Sequence, residues 1–311
     1  MLARLLFVFL CAAMGCAYVH GSTPLRVGTN IWPGYEPLYL AAQRQRWTQL
    51  GVRLVEYRSA SEVLRAFRNR ALEAAALTLD EVLALVEAEL PVQVVAVLDI
   101  SEGGDVILAN PRFQRFADLR GQRIGVESGA LGAYVLSRAL ELNDLGIADL
   151  EIVHMDVSQH ESAYRDGRVD AVVTFEPVRT RLLAAGATEL FSSAAIPGEI
   201  VDVLVVHQDV LQQRGAVIAK LVADWFATLA YMSAEPAAAA AFTARRLRIS
   251  PEEVQASYQG LSLPDLAKNR QMLGGGLDPS LRRLRDLLVQ QKLLRRSVPL
   301  DALLQPAYLP D

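Results

Sequence analysis

The chain has 311 residues, 52% hydrophobic and 21% charged, and its 31 Lys and Arg against 35 Asp and Glu leave a formal net charge of −4. That is the make-up of a folded protein long enough for two domains. It argues against a nucleic-acid partner, which needs a basic face, and lysine occurs only as Lys220, Lys268 and Lys292.

In chain order the first element is a targeting segment. Residues 1–4 supply a positive start, and "LLFVFLCAAMG", Leu5 to Gly15, is an apolar run of 11 residues. A bilayer span needs about 20, so residues 1–21 read as a signal peptide. "AAMGC" has the form of a lipobox, with Gly15 before Cys16. Acylation of Cys16 would make it the new N-terminus and anchor the chain to a membrane. Ordinary cleavage between 17 and 21, or an uncleaved segment, are the alternatives. All three place the folded part outside the cytoplasmic membrane. Both cysteines, Cys11 and Cys16, fall in this segment, so the remainder has neither disulfide nor thiol chemistry.

The remainder contains a repeat. "LRVG" at 25–28 and "QRIG" at 122–125 begin 97 residues apart, and "AFRNRALEAAAL" at 66–77 and "AYRDGRVDAVVT" at 163–174 keep that interval. "LVEYRSASEVLR" at 54–65 lies over "EIVHMDVSQHES" at 151–162 in the same register, more weakly. One interval across three blocks predicts a half-domain used twice. Each copy reads as a strand (25–29; 123–127), a helix after a turn (37–47; 131–142) and a strand (51–57; 150–154). A helix (60–69; 159–166), a strand (73–77; 170–175) and a further helix complete it. This alternation predicts parallel sheets. Ser59 with Glu62, Thr78 with Glu81 and Ser158 with Glu161 have capping-box spacing, and Pro37 suits a first helical turn.

"PVQVVAVLDI" and "DVILAN" read as two more strands of the first copy, and "EIVDVLVVHQDV" at 199–210 as the strand that carries the chain back. Beyond 215 amphipathic helices run to the end, with "MLGGGLDP" as a loop. The predicted fold class is α/β. Lobe 1 spans 25–108 and lobe 2 spans 109–204, and 205–311 returns to lobe 1 and ends in helices.

Catalytic patterns fail. "HESAY" lacks the second histidine of HExxH, "GVESG" has the wrong spacing for GxSxG, and neither GxGxxG nor GxxxxGK[ST] occurs. His20, His154, His160 and His207 form no metal pattern and read as solvated or capped. With no Cys or Lys in the strand-end loops, neither thiol nor Schiff-base catalysis has an agent.

The strand ends carry polar and acidic groups instead. In order they are Asn30, Ser59, Ser61, Thr78, Asp80, Asp99, Ser101, Glu102, Glu127, Ser128, Gly129, Thr174, Glu176 and Asp202. Ligands of open α/β sheets bind at these ends, and two facing lobes make a cleft that closes by hinge motion. "NIWPGY" is the first such loop, so Trp32 and Tyr35 face the cleft, either as stacking surfaces or as braces under the turn. Asp80, Glu127 and Glu176 serve either as helix caps or as acceptors for an amino-bearing ligand. "ESGALG" is also a ready anion site, and Arg58 adds positive charge.

Four stretches carry a family resemblance: "LRVGTNIWPGYEPLYLAAQRQRW", "LRAFRNRALEAAALTLDE", "LRGQRIGVESGALGAYVLSRAL" and "AYRDGRVDAVVTFEPVRTRLLAAGA". They resemble the nitrate/sulfonate/taurine and thiamine-pyrimidine-precursor group of ABC-transporter substrate-binding proteins, over roughly 25–235. The resemblance implies a type II periplasmic-binding-protein fold and a small-molecule ligand in the interlobe cleft. It further implies delivery to an ABC permease and its ATPase, with no cofactor, no metal and a monomeric chain. The positions matching the group's pocket loops are Asn30, Trp32, Tyr35, Ser59, Thr78, Ser128 and Glu176. An amine, an aminopyrimidine, a sulfonate or nitrate all remain open as ligand, because Glu127 and Glu176 sit poorly with an anion. An enzyme of thiamine-pyrimidine synthesis on the same fold is the alternative, but it needs a pocket lysine that these loops lack. A ligand sensor for a membrane receptor is another.

The resulting expectation opposes Trp32, as a stacking face, to Glu127 and Glu176. Trp32→Ala and Glu176→Gln would then each weaken binding about tenfold and change the free protein's stability by no more than about 1 kcal/mol.

Overall fold

The structure is a computed structural model, described for residues 23–127 and 131–311. In chain order its strands are β1 (Leu25–Asn30), β2 (Val52–Tyr57), β3 (Ala74–Thr78), β4 (Val92–Ser101), β5 (Asp105–Ala109), β6 (Arg123–Val126), β7 (Glu151–His154), β8 (Ala171–Phe175), β9 (Thr188–Ser192), β10 (Val201–His207) and β11 (Leu261–Ser262). The helices are α1 (Glu36–Arg44), α2 (Ala60–Arg68), α3 (Leu79–Glu87), α4 (Leu131–Leu142), α5 (Val157–Arg165), α6 (Val178–Ala184), α7 (Gln208–Ala234), α8 (Pro236–Leu247), α9 (Pro251–Tyr258), α10 (Leu266–Gln271) and α11 (Asp278–Gln290).

Two sheets form, in the orders β11-β4-β10-β3-β1-β2 and β7-β6-β8-β5-β9. Their central strands are buried along their length: "AAALT" of β3, "DVILA" of β5 and "VDVLVVH" of β10. Continuous apolar strands of this kind belong to sheets covered by helices on both faces.

The repeat appears in the pairing. Val27 lies opposite Ala74 and Gly28 opposite Ala75, while Ile124 lies opposite Ala171 and Gly125 opposite Val172. These are the same positions 97 residues on. The weaker middle block is one residue off at its strand, since Gly28 faces Val55 but Gly125 faces Val153. The interval is restored at the next helices, which begin at Ala60 and Val157. Two of the expected caps form: Ser59 Oγ accepts from the Glu62 amide at 3.3 Å, and Glu81 Oε2 accepts from the Thr78 amide at 3.0 Å. The third is displaced. Asp156, not Ser158, precedes α5, and its amide donates to Gln159 Oε1 at 3.3 Å, leaving Glu161 to pair with Arg165 at 3.0 Å.

The placement of β5 differs from the sequence reading. It pairs antiparallel with β8 and β9 in the second sheet instead of extending the first. In exchange β10 fills the place between β3 and β4. The ten-residue β4 is apolar on both faces and needs a neighbour on each side, and β10 and the short β11 supply them. The chain thus crosses between sheets after Ser101 and again after Ser192.

The crossings are tied together. Ser101 Oγ lies 2.8 Å from Ser193 Oγ, which also accepts from the Gly103 amide at 2.6 Å. The Glu102 and Gly104 amides donate to the Gly260 carbonyl at 2.8 and 3.1 Å. A Cβ at Gly260 would stand 2.7 Å from the Gly104 nitrogen, so only glycine allows this approach. Near the C-terminus "MLGGG", read as a loop, forms a wide helical turn between α10 and α11. Residue Leu304 then bridges back to Val94.

Candidate functional site

The cavity between the sheets is built from the carboxyl ends of parallel strands and the facing ends of antiparallel ones. Its walls include Asn30, Trp32 and Tyr35 after β1, Thr78 and Glu81 after β3, and Asp202 on β10. Asp105, Glu127, His160, Thr174 and Phe175 face them from the other sheet. The space between the wall atoms is ≈ 540 Å³, part of it open to solvent.

The "WPGY" turn is locked from several sides. The Trp32 indole N–H donates to both Asp99 carboxyl oxygens, each at 3.2 Å. Its ring meets Phe175 edge-on, with centroids 5.6 Å apart. The Tyr35 hydroxyl donates to Asp202 Oδ1, and the Pro33 carbonyl accepts from the Tyr258 hydroxyl at 2.9 Å. A Cβ at Gly34 would lie 2.0 Å from Asp99 Oδ2 and 2.6 Å from Trp32 Nε1, so this position has no room for a side chain. Trp32 and Tyr35, only 4% and 3% exposed, are therefore braces of the turn as well as walls of the cavity.

Carboxyl groups dominate the polar lining. Asp99 and Asp202 are register partners on adjacent strands. Burial pushes Asp99 up to about 7. It pushes Asp202 well above the carboxylate range, with the neighbouring Asp99 adding to the rise. Burial likewise raises Asp105 to about 7, against the opposing hydrogen bond of Ser101, and raises Glu81, with help from Asp80. Glu127 is raised by burial too, partly offset by its bonds to Ser61. Its Oε1 accepts from the Ser61 amide at 3.1 Å, across the cleft at the start of α2. His160 is held by burial at about 4 and is neutral; its Nδ1 lies 3.2 Å from Thr174 Oγ1.

Buried polar atoms rarely go without a partner. Among the described residues seven buried side-chain atoms do so, and five of them line this cavity. They are Thr78 Oγ1, Glu81 Oε1, Asp105 Oδ2, His160 Nε2 and Asp202 Oδ2. Three are carboxyl oxygens, and no Arg or Lys is among the described residues of the lining. The site thus presents buried polar groups without partners and no cation among the described residues of its lining.

Of the candidates from the sequence, Asn30, Trp32, Tyr35, Thr78 and Glu127 converge on the cavity. Ser59 is buried as the cap of α2 beside the lining Ala60, and Asp80 is buried in the first turn of α3, raised by burial to about 6. Glu176 departs from its expected place. Its carboxylate turns back into its own helix, where Oε1 accepts from Arg179 at 3.1 Å and from the Thr180 hydroxyl at 3.0 Å. Oε2 accepts from the Thr180 amide at 3.2 Å. The dipole and first amides of α6 hold this carboxylate better than an open cleft would. Ser128 and Cys16 lie outside the described residues.

The sequence reading passed over Glu81, Asp105, His160 and Phe175 as site residues. Asp105 begins an antiparallel strand, and the starts of such strands share an edge with the ends of parallel ones; reading strand ends alone misses it. His160, read as solvated or capped, is 1% exposed. Among the described residues no group of three or more His, Cys, Asp or Glu is arranged to hold a metal.

Two α/β lobes joined by crossing strands, with the site between them, define the class: a type II periplasmic-binding-protein fold. Within that class, the profile of the NMT1-like family matches residues 20–247, and the chain belongs to this family.

Among solved structures, the chain is similar to the alkanesulfonate-binding protein SsuA from Xanthomonas axonopodis pv. citri, bound to MOPS, with a TM-score of 0.75 and 17% identity over 92% of this chain and 97% of that one. The ligand-binding component of an ABC-type import system from Staphylococcus aureus, with zinc bound, gives 0.73 and 15% over 92% and 98%. The desulfurization enzyme DSZB gives 0.66 and 17% over 92% and 97%, so the fold serves both binding proteins and an enzyme. Curated relatives in Brucella abortus and Brucella suis, whose names go no further than binding protein, are 32% identical over 74 residues, which is 24% of this chain and 23% of their length.

Proposed function

We propose that this chain is the solute-binding component of an ABC importer, and that it captures without catalysis a small ligand rich in N–H donors, such as an amine or aminopyrimidine. Family membership and fold support the binding role. The single observation that carries the ligand class is the convergence of five unpartnered buried polar atoms, three of them carboxyl oxygens, on one cavity. An ammonium, amidine or ring amino group would supply the missing donors and restore ionised carboxylates, because a nearby cation favours the charged form. A sulfonate or nitrate entering alone would find no balancing cation among the described residues of the lining. Trp32 and Phe175 add aromatic walls for a flat or cationic group. Residues 1–21 would export the chain, Cys16 would tether it by lipid, and an ABC permease with its ATPase would receive the ligand.

A thermal-shift screen of amines, aminopyrimidines, sulfonates and nitrate tests the reading. A true ligand at a hundred times its Kd should add about 2.7 kcal/mol of stability. Stabilisation by a donor-free anion and by no amino compound would overturn it.

A further inference from the structure

A second pocket adjoins the inner cavity, and Val157 and Phe175 are walls of both. Its lining carries guanidinium groups, which the inner cavity lacks among its described residues. Four arginines line it: Arg58 after β2, Arg181 on α6, Arg246 on α8 and Arg248 just beyond α8. Three glutamates line it as well, and each is already engaged. Glu56 pairs with Arg246 at 2.6 Å, and Glu161 with Arg165 and Arg181 at 3.0 and 3.3 Å. Glu176 is held by Arg179 and Thr180. Arg246 is in turn bound by Glu36 and lies over the Tyr39 ring. Arg58 and Arg248 remain. Both are exposed, and neither guanidinium has a hydrogen-bond or ion-pair partner among the described residues.

Unpartnered carboxyl oxygens therefore line one pocket and unpaired guanidinium groups the pocket beside it, with Phe175 a wall of both. We propose that the outer pocket is a second subsite of the same cleft, taking the oxyanion end of a dipolar ligand whose N–H donors occupy the inner cavity. This rests on the donor-based reading of the inner cavity. Arginine suits the role because its planar fork matches carboxylate, sulfonate and phosphate oxygens. A ligand with charge of one sign gains at one end only.

Calorimetric titration with paired probes tests the proposal. Propylamine supplies the donor end, propanesulfonate the anion end, and γ-aminobutyrate, homotaurine and aminopropyl phosphate supply both. At least one dipolar probe should bind about tenfold tighter than propylamine, the gain expected of a charge-assisted contact, and the best of the three identifies the oxyanion. The double variant Arg58→Gln/Arg248→Gln should bring that probe down to propylamine's affinity. Its thermal midpoint should match the parent's, since neither side chain holds a partner. Dipolar probes no tighter than propylamine, or a gain that survives in the double variant, would overturn the outer subsite alone. If no amino-bearing probe binds the parent protein, the donor-based reading falls and this inference with it.

Discussion

The Ser61 amide donates a 3.1 Å hydrogen bond to Glu127 Oε1, from the first turn of α2 to the residue just after β6 on the other side of the cleft. An amide at a helix start is a favoured partner for a carboxylate. The bond joins the two lobes across the cleft, beside the Trp32–Phe175 ring contact, so it favours the closed state.

Removing it should shift the population toward an open state. Glu127→Ala is expected to weaken ligand binding about tenfold or more, because such a bond contributes about 1.5–3 kcal/mol and a less populated closed state lowers apparent affinity in proportion. Small-angle scattering of the ligand-free variant should show a larger radius of gyration than the parent. An unchanged radius and affinity would show that closure rests on other contacts.

Trp32→Ala should cost far more stability than a surface platform would. The indole is buried, braces the turn and donates to a buried carboxyl. Truncating such an aromatic costs about 3–5 kcal/mol, which replaces the expectation of about 1 kcal/mol drawn from the sequence. Trp32→Phe keeps most of the packing but leaves Asp99 without its donor, so a smaller loss is expected. Denaturant melts of the two variants against the parent measure both.

Glu176→Gln should act on stability and not on affinity. Its carboxylate caps α6 and pairs with Arg179, so a loss of about 1 kcal/mol, typical of a helix cap, is expected. Calorimetry with the ligand found by the screen should give a Kd within about threefold of the parent's, a difference well under 1 kcal/mol. A tenfold loss of affinity with unchanged stability would show that this carboxylate contacts the ligand directly.

The free protein should lose stability as pH rises from about 4 to 7. Unfolded aspartate titrates near 3.9, whereas burial holds Asp105 and Asp99 at about 7 in the folded state. Between those values the unfolded chain has released protons that the native state keeps, so rising pH favours unfolding. The contribution is fully present below about pH 4 and gone above pH 7. At the acid end, Arg26 and Arg123 hold Glu73 and Asp170 below the usual range despite partial burial. Their contribution is lost as pH falls below about 4. Scanning calorimetry should therefore give a lower midpoint at pH 8 than at pH 5, and Asp105→Asn should reduce the difference. A midpoint that does not fall toward pH 8 would show that these carboxyls are ionised in the free protein.

The repeat, the strands and helices of each copy, and the loop that carries the aromatic wall are legible along the chain. The repeat interval reaches into side-chain detail. Arg26 bonds Glu73 and the Arg70 carbonyl, and Arg123 bonds Asp170 and the Gly167 carbonyl in the same way 97 residues on. Periodicity, capping and helix-ending turns are local, so they can be read along the chain. The return of β10 to the first sheet was also legible, but the placement of β5 in the second sheet was not, because strand exchange depends on which buried edge finds a partner far along the chain. The tertiary structure also decided which acids meet. Asp99, Asp105 and Asp202 converge because crossing strands bring their ends together, while Glu176 turns away because its own helix offers amides and an arginine within reach. No spacing in the chain encodes that choice; the competition between nearby donors and a buried cavity makes it.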